Sequence, residues 1–244
     1  MIKNKLLIVG AFPSDNKKIY GGILNSCKII LNSILVEKFD ILTIDSSQLS
    51  NPPPNIFIRF FFAIKRINSL ICKIVFRKPN VVLIFTSDGL SAIEKGLMCL
   101  ICSFFKCKVM IFPRAGNLIT QTKNSRLMKV LIKFLFSKAS IFLCQGIYWK
   151  DFAIDQIGFD SSNVKIINNW TATQNHIQIG EKRDYKKINT TQNMLFVGWL
   201  EEFKGVFELL EASKSLIKEG YKFNLTFAGD GNAMSKAQIY IHDN

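Results

Sequence analysis

Short runs of Val, Ile, Leu and Phe alternate along this chain with longer stretches in which apolar positions recur at helical spacing. The first pattern predicts buried strands and the second amphipathic helices. Predicted strands are Lys5–Phe12, Phe39–Ile44, Val81–Thr86, Lys108–Phe112, Ser140–Cys144 and Val164–Ile167. Between them lie predicted helices at Ile23–Leu35, Ile56–Phe76, Ser91–Phe105, Ser125–Ser137 and Tyr148–Ile157. Strands alternating with helices define βαβ units, so the expected class is α/β with a parallel, doubly wound sheet. The polar, aperiodic segment Thr171–Gln192 reads as a linker. A second start follows: strand Met194–Gly198, helix Phe207–Glu219, strand Lys222–Ala228 and then Gly229-Asp230-Gly231. The expectation is one complete Rossmann-like domain over 1–175, followed over 176–244 by a linker and an incomplete second Rossmann-like domain.

The start, LLIVGAF after Met1-Ile-Lys-Asn-Lys, mimics a signal peptide. Its apolar run is short and ends at Pro13 without a small-residue cleavage site, so it reads as the first strand. Charges such as Arg59, Lys65, Arg66, Glu94 and Lys95 break every apolar run before the roughly 18 to 20 residues of a spanning helix. Pro52-Pro53-Pro54 reads as a stiff turn before a helix.

Charge divides unevenly. Residues 1–175 hold 23 Lys and Arg against 9 Asp and Glu, while the remainder holds 9 of each, so the entire +14 belongs to the first part. That asymmetry points to an anionic partner for the first domain. Arg59, Arg66, Lys73 and Arg77 recur along Ile56–Arg77 as one stripe opposite Ile, Phe and Leu. Arg126, Lys129 and Lys133 do the same amid LMKVLIKFLF. Basic helical faces beside apolar ones suit an anionic membrane surface, and a solvated face of core helices is the plainer alternative. No nucleic-acid motif accompanies the charge, and no nucleic-acid partner is expected.

Six cysteines without a secretory signal fit a reducing cytoplasm. Cys99 and Cys102 form a CxxC inside LMCLICSFF, with no second pair and only His176 and His242 in the chain, so core packing is expected and no metal. The scarcity of histidine also weakens any Ser-His or Cys-His nucleophile. After strand 1, Gly21-Gly22 opens a helix whose free N–H groups could meet a phosphate, although a glycine turn into a helix is common. A dinucleotide oxidoreductase would need GxGxxG there, and it is missing.

The run NMLFVGWLEEFKGVFELLEASKSLIKEGYKFNLTFAGDGN, with Gly198, Lys204-Gly205 and Gly229-Asp230-Gly231 at these spacings, resembles the donor-domain opening of family 4 glycosyltransferases of the GT-B fold. IINNW at Ile166–Trp170 and IFPRAGN at Ile111–Asn117 resemble the same family's first domain more loosely. The resemblance implies a retaining, metal-independent and cofactor-free transfer of a sugar from a nucleotide-diphosphate donor. The acceptor would be a glycan, lipid-linked or belonging to a cell-surface polysaccharide, and the enzyme would sit in the cytoplasm, peripheral on the inner face of the cell membrane. It further implies that Lys204 and Gly205 bind the donor diphosphate, with Gly198, Trp199, Gly229, Asp230 and Gly231 around them. Gly21, Gly22, Arg114 and Asn169 would face the cleft and the acceptor.

Two departures stand out. Trp199 occupies the place of the family's diphosphate-binding arginine, and Arg114 stands near the family's usual histidine. The family's last strands and its glutamate pair are not matched, so the resemblance implies that these 244 residues do not turn over by themselves. The alternative from another class is a non-catalytic basic domain that binds an anionic membrane or a partner subunit.

Overall fold

The computed structural model of the protein describes residues 3–13, 21–47, 50, 54–170, 172–184 and 191–243. The loop 14–20 and the first two prolines of Pro52-Pro53-Pro54 lie outside them. The chain divides into two compact units, Met1–Thr173 and Gln174–Asn244.

The first unit is built on six strands: β1 Asn4–Gly10, β2 Phe39–Asp45, β3 Val81–Thr86, β4 Lys108–Pro113, β5 Ile141–Cys144 and β6 Val164–Ile166. All pair in parallel in the order β2-β1-β3-β4-β5-β6, a Rossmann-like sheet. The helices between them are α1 Gly22–Leu31, α2 Leu35–Lys38, α3 Ile56–Cys72, α4 Gly89–Phe104, α5 Asn117–Asn124, α6 Arg126–Phe136 and α7 Ile147–Asp151. Alternate strand residues feed two cores. Leu7, Val9, Val82, Ile84, Val109 and Ile111 pack with α3, α4 and α6, whereas Leu6, Ile8, Leu83, Phe85 and Phe112 pack with α1.

Local chemistry explains where the helices depart from the predicted ones. The stretch Ile23–Leu35 splits into α1 and α2 because side chains capture backbone groups at the break. Asn32 donates to the Lys28 carbonyl, Ser33 donates to the Ile30 carbonyl, and the Leu35 amide donates to the Ser33 hydroxyl. The stretch Ile56–Phe76 begins at α3 as predicted, with the Asn55 side chain accepting from the Ile58 amide at 3.0 Å. It then widens into a π-turn over Lys73–Arg77 and stops at Lys78 in the left-handed region. A second π-turn, Phe152–Ile157, ends α7 at Gly158. Some described helices have no counterpart among the predicted ones. Helix α5 is rich in Asn and Thr, poor helix formers, and is held by burying Leu118, Ile119 and Thr122. Helix α8, Gln174–Glu181, falls inside the expected linker and buries none of its residues.

Three helices lie side by side, α3 against α4 and α4 against α6. Gly96 makes the second contact possible, since a Cβ there would meet Leu135 Cβ at 2.7 Å. The first is held by charge. Arg66 of α3 donates twice to Glu94 of α4, at 2.7 and 2.9 Å, and the Nζ of Lys95, only 3% exposed, stands 3.0 Å from Oε2 of the same carboxylate. Burial disfavours the Glu94 charge, but the Arg66 hydrogen bonds and the Lys95 cation outweigh it and hold the carboxyl below the ordinary glutamate range.

Removing the carboxylate would leave two cations without their partner. Glu94→Ala is therefore expected to lower unfolding stability by about 3 to 5 kcal/mol in urea titration. In the unmodified protein the Glu94 contribution is fully present above the unfolded glutamate value of about 4.3 and is lost as pH falls through the lower folded value. An E94A stability equal to that of the unmodified chain would show that the triad holds nothing together.

The second unit contains β7 Gln192–Val197 and β8 Phe223–Ala228, paired in parallel, with α8, α9 Val206–Lys218 and α10 Met234–Asp243. Leu200, Val206, Leu210 and Ala237 form its core, with Phe196, Phe227 and Tyr240 against it. Helix α10 was also absent from the reading of the sequence, because it carries one buried position, Ala237, and little apolar periodicity.

Candidate functional site

In a doubly wound sheet the ligand crevice opens at the carboxyl ends of the strands, where the strand order reverses. Here that point lies between β1 and β3. The Arg114 amide, just past β4, donates to the Thr86 carbonyl at the end of β3, and the Phe12 amide donates to Asp45 at the end of β2. The Arg114 guanidinium is half-buried and lies against the neighbouring rings of Phe112 and Trp170, 5.0 and 5.2 Å from their centroids, the rings being 5.6 Å from each other. Its Nη2 donates to Ser26 Oγ of α1 at 3.1 Å, and Trp170 Nε1 donates to the Ser26 carbonyl at 3.2 Å. Its Nη1 is buried with no hydrogen-bond partner among the described residues. Burial pulls the Arg114 pKa below its usual value, although an arginine so placed keeps its proton.

Beside it, burial pushes the Cys27 thiol up to about 12, against the pull of the Ala11 backbone and of Arg114. Cys27 is therefore a packed thiol and not a nucleophile. Cys99 and Cys102 are likewise fully buried in the α4 core, and among the described residues no cluster of His, Cys, Asp and Glu could hold a metal ion.

The other residues expected on this side are less constrained. Gly21 and Gly22 open α1 as predicted, yet Gly21 has ordinary extended backbone and nothing lies within 4 Å of a Cβ built on either. Neither position needs glycine on steric grounds. Asn169 is exposed and accepts a short hydrogen bond from Gln145, so it ties the end of β6 to the end of β5. Ser26 and Trp170, the partners that fix Arg114, come from 88 and from 56 residues away and could not have been paired without the strand order.

In the second unit the loops after β7 and β8 interlock. The Gly198 amide donates to the Ala228 carbonyl, Leu200 donates to Asp230 at 2.9 Å, and Ala233 donates back to Leu200 at 2.8 Å. A Cβ on Gly229 would collide with the Gly198 carbonyl oxygen, and one on Gly231 with the Leu200 carbonyl oxygen. The glycines of Gly229-Asp230-Gly231 thus serve loop-to-loop contact. Asp230 accepts from the Gly231 amide at 2.7 Å. Lys204 ends a 3₁₀ turn, Glu202–Lys204, and Gly205 follows in the left-handed region as the residue that opens α9. As the N-cap, Gly205 has no side chain with which to cap that helix start. Lys204 is exposed, with its Nζ 5.3 Å from the Phe203 ring centroid, and Trp199 is 43% exposed beside the same loop.

The basic stripe predicted for α3 is corrected by the structure. Arg66 turns inward to Glu94, and the π-turn changes the helical phase at Lys73. Arg77 lies 3.7 Å from Asp40 while its carbonyl accepts from Lys5. Of the four, Arg59 alone is an exposed cation within α3 itself, joined there by Lys65, which was not in the predicted stripe. On α6 the pattern is as expected: Arg126, Lys129 and Lys133 are all exposed.

Fold and loops together define a Rossmann-like α/β unit whose strand ends carry the cluster of Arg114, Ser26 and Trp170, followed by a smaller βαβ unit whose helix α9 starts beside a lysine. No known family model matches the chain, and no curated protein matches it.

The loop geometry predicts the effect of a single methyl group. Gly229→Ala should push the two loops apart at a cost of about 2 kcal/mol, and should speed amide exchange at Gly198 and Leu200 by roughly 30-fold. Unchanged exchange at both amides would contradict the interlock.

Proposed function

We propose that the protein belongs to a sugar-transfer system of the GT-B kind, in which the second unit holds the diphosphate of a nucleotide-sugar donor and the first unit faces a glycan or lipid-linked acceptor. The observation that carries this reading is the start of α9. Its N-cap, Gly205, has no side chain with which to cap the first amides, Lys204 immediately precedes it, and both sit at the carboxyl end of β7, where such a unit binds anions. Glu208 is the acidic side chain of its first turn. A bound diphosphate would displace it from the helix dipole.

In the transfer, the bond from the sugar to the diphosphate breaks, a glycosidic bond to the acceptor hydroxyl forms, and that hydroxyl's proton leaves with the nucleoside diphosphate. Lys204 and the α9 amides would stabilise the charge that develops on the leaving phosphate. Trp199 cannot share that charge. Its exposed ring would instead pack on an apolar face of the donor. Arg114, lying against Phe112 and Trp170 and bonded to Ser26, would position α1 at the strand ends.

A charge-assisted phosphate contact contributes about 1.5 to 3 kcal/mol, so Lys204→Ala should weaken nucleoside-diphosphate binding roughly 10- to 100-fold. Lys204→Arg should restore part of it, and Trp199→Arg should strengthen it. Calorimetric titration with a nucleoside diphosphate and with the bare nucleoside separates the phosphate contribution. Equal binding of the diphosphate by the K204A and unmodified chains would overturn the assignment.

A further inference from the structure

The sheet side of α3, α4 and α6 is a packed core, but their outer side is not polar. On α3 the first residues project with almost every side chain exposed, Phe57 at 81% and Phe61 at 64%, and Ile64 continues their line one turn further on. On α4 the outward positions are Leu97 and, at the helix end, Phe104, which is 80% exposed. On α6 Leu127, Val130 and Phe134 follow at spacings of three and four, and Leu127 is 78% exposed. Because α4 contacts both neighbours, these lines belong to one face. Isolated exposed apolar residues are ordinary, but three adjacent helices exposing them together make a contiguous patch of the kind that marks an interaction site.

The charges on this face are of one sign. Lys65 lies beside Phe61 and Ile64, and Arg126, Lys129 and Lys133 run alongside the α6 line, all exposed. Neither α3 nor α6 carries an acidic residue, and the one on α4, Glu94, is buried under Arg66 and Lys95. A second copy of the same face would therefore bring cations together with no carboxylate between them. An anionic surface that accepts both Phe rings and Lys head groups fits without conflict.

We infer that the outer face of α3, α4 and α6 docks on an anionic lipid bilayer, with the three helices lying along its surface, their Phe and Leu side chains in the acyl boundary and their Lys and Arg side chains at the phosphates. Among the described residues no helix is long and apolar enough to cross a membrane, so the attachment is from one side. The inference stands on this face alone and does not depend on the sugar-transfer reading.

Flotation of the full chain with phosphatidylcholine vesicles, with and without about a third phosphatidylglycerol, tests it. Binding should require the anionic lipid and weaken as salt rises. Two cations near such a surface, at about 1 kcal/mol each, correspond to about 30-fold, the loss expected for Lys129→Ala combined with Lys133→Ala. Phe57→Ser combined with Phe61→Ser should also release the chain while leaving its circular dichroism unchanged, since both side chains are exposed. Equal binding to neutral vesicles, no binding at low salt, or unchanged binding by both double variants would overturn the proposal. Self-association that the F57S/F61S pair abolishes would assign the face to a second copy instead. A chain that binds these vesicles but no nucleoside diphosphate would refute the sugar-transfer reading and leave this one standing.

Discussion

Parallel pairing with a single reversal of direction is the constraint on which the first unit depends. From β1 to β2 the chain steps one way across the sheet, and from β2 onward every step goes the other way. Right-handed crossovers then place α1 on one face and α3, α4, α6 and α7 on the other. The two cores record this division, one served by α1 and α2 and the other by α3, α4, α5, α6 and α7. The same reversal sets β1 beside β3, with their carboxyl ends side by side. Arg114, Ser26 and Trp170 meet there although the chain separates them widely.

A crowded helical layer has an electrostatic consequence. Where α3 meets α4, the single carboxylate of the three-helix layer is drawn inward and spent on Arg66 and Lys95. Among the exposed side chains of α3, α4 and α6 there are cations and no anion, set among apolar residues and neutral polar ones such as Asn68 and Ser103. The net charge of +14 is carried over much of the surface, and on this layer Lys65, Arg126, Lys129 and Lys133 stand beside exposed Phe and Leu. In the second unit the corresponding economy is steric: Gly229 and Gly231 let two loops touch, and that contact sets the ground beside which α9 starts after Gly205.

Strands were the most legible part of the chain. β3 has the predicted ends, and the other strands shift by two residues at most, because apolar and β-branched runs bounded by polar residues mark strands, those at the centre of the first sheet being buried on both faces. Helices whose stability comes from tertiary contact were not legible. α5 reads as a polar loop until Leu118 and Ile119 find the core, and the break at Asn32–Ile34 depends on side chains competing for carbonyls. At the candidate sites, periodicity located Lys204 at a strand end and the cations of α6 on one face. It could not show that Arg66 turns inward, since the carboxylate that turns it lies 28 residues further along on another helix. Nor could it distinguish an apolar helix face packed in a core from one left exposed, which is the difference that matters on α3.

The claim that the α3 face is exposed in the free protein and covered by a bilayer is open to one direct measurement. Cys72, at the end of α3, is exposed, Cys107 is half-buried, and Cys27, Cys99, Cys102 and Cys144 are buried. Maleimide labelling read by mass spectrometry should therefore modify Cys72 first in buffer. Anionic vesicles should protect Cys72 while leaving the slower labelling of Cys107 unchanged. Labelling of Cys72 at the same rate with and without anionic vesicles, under conditions in which the chain floats with them, would place the contact elsewhere and contradict the account.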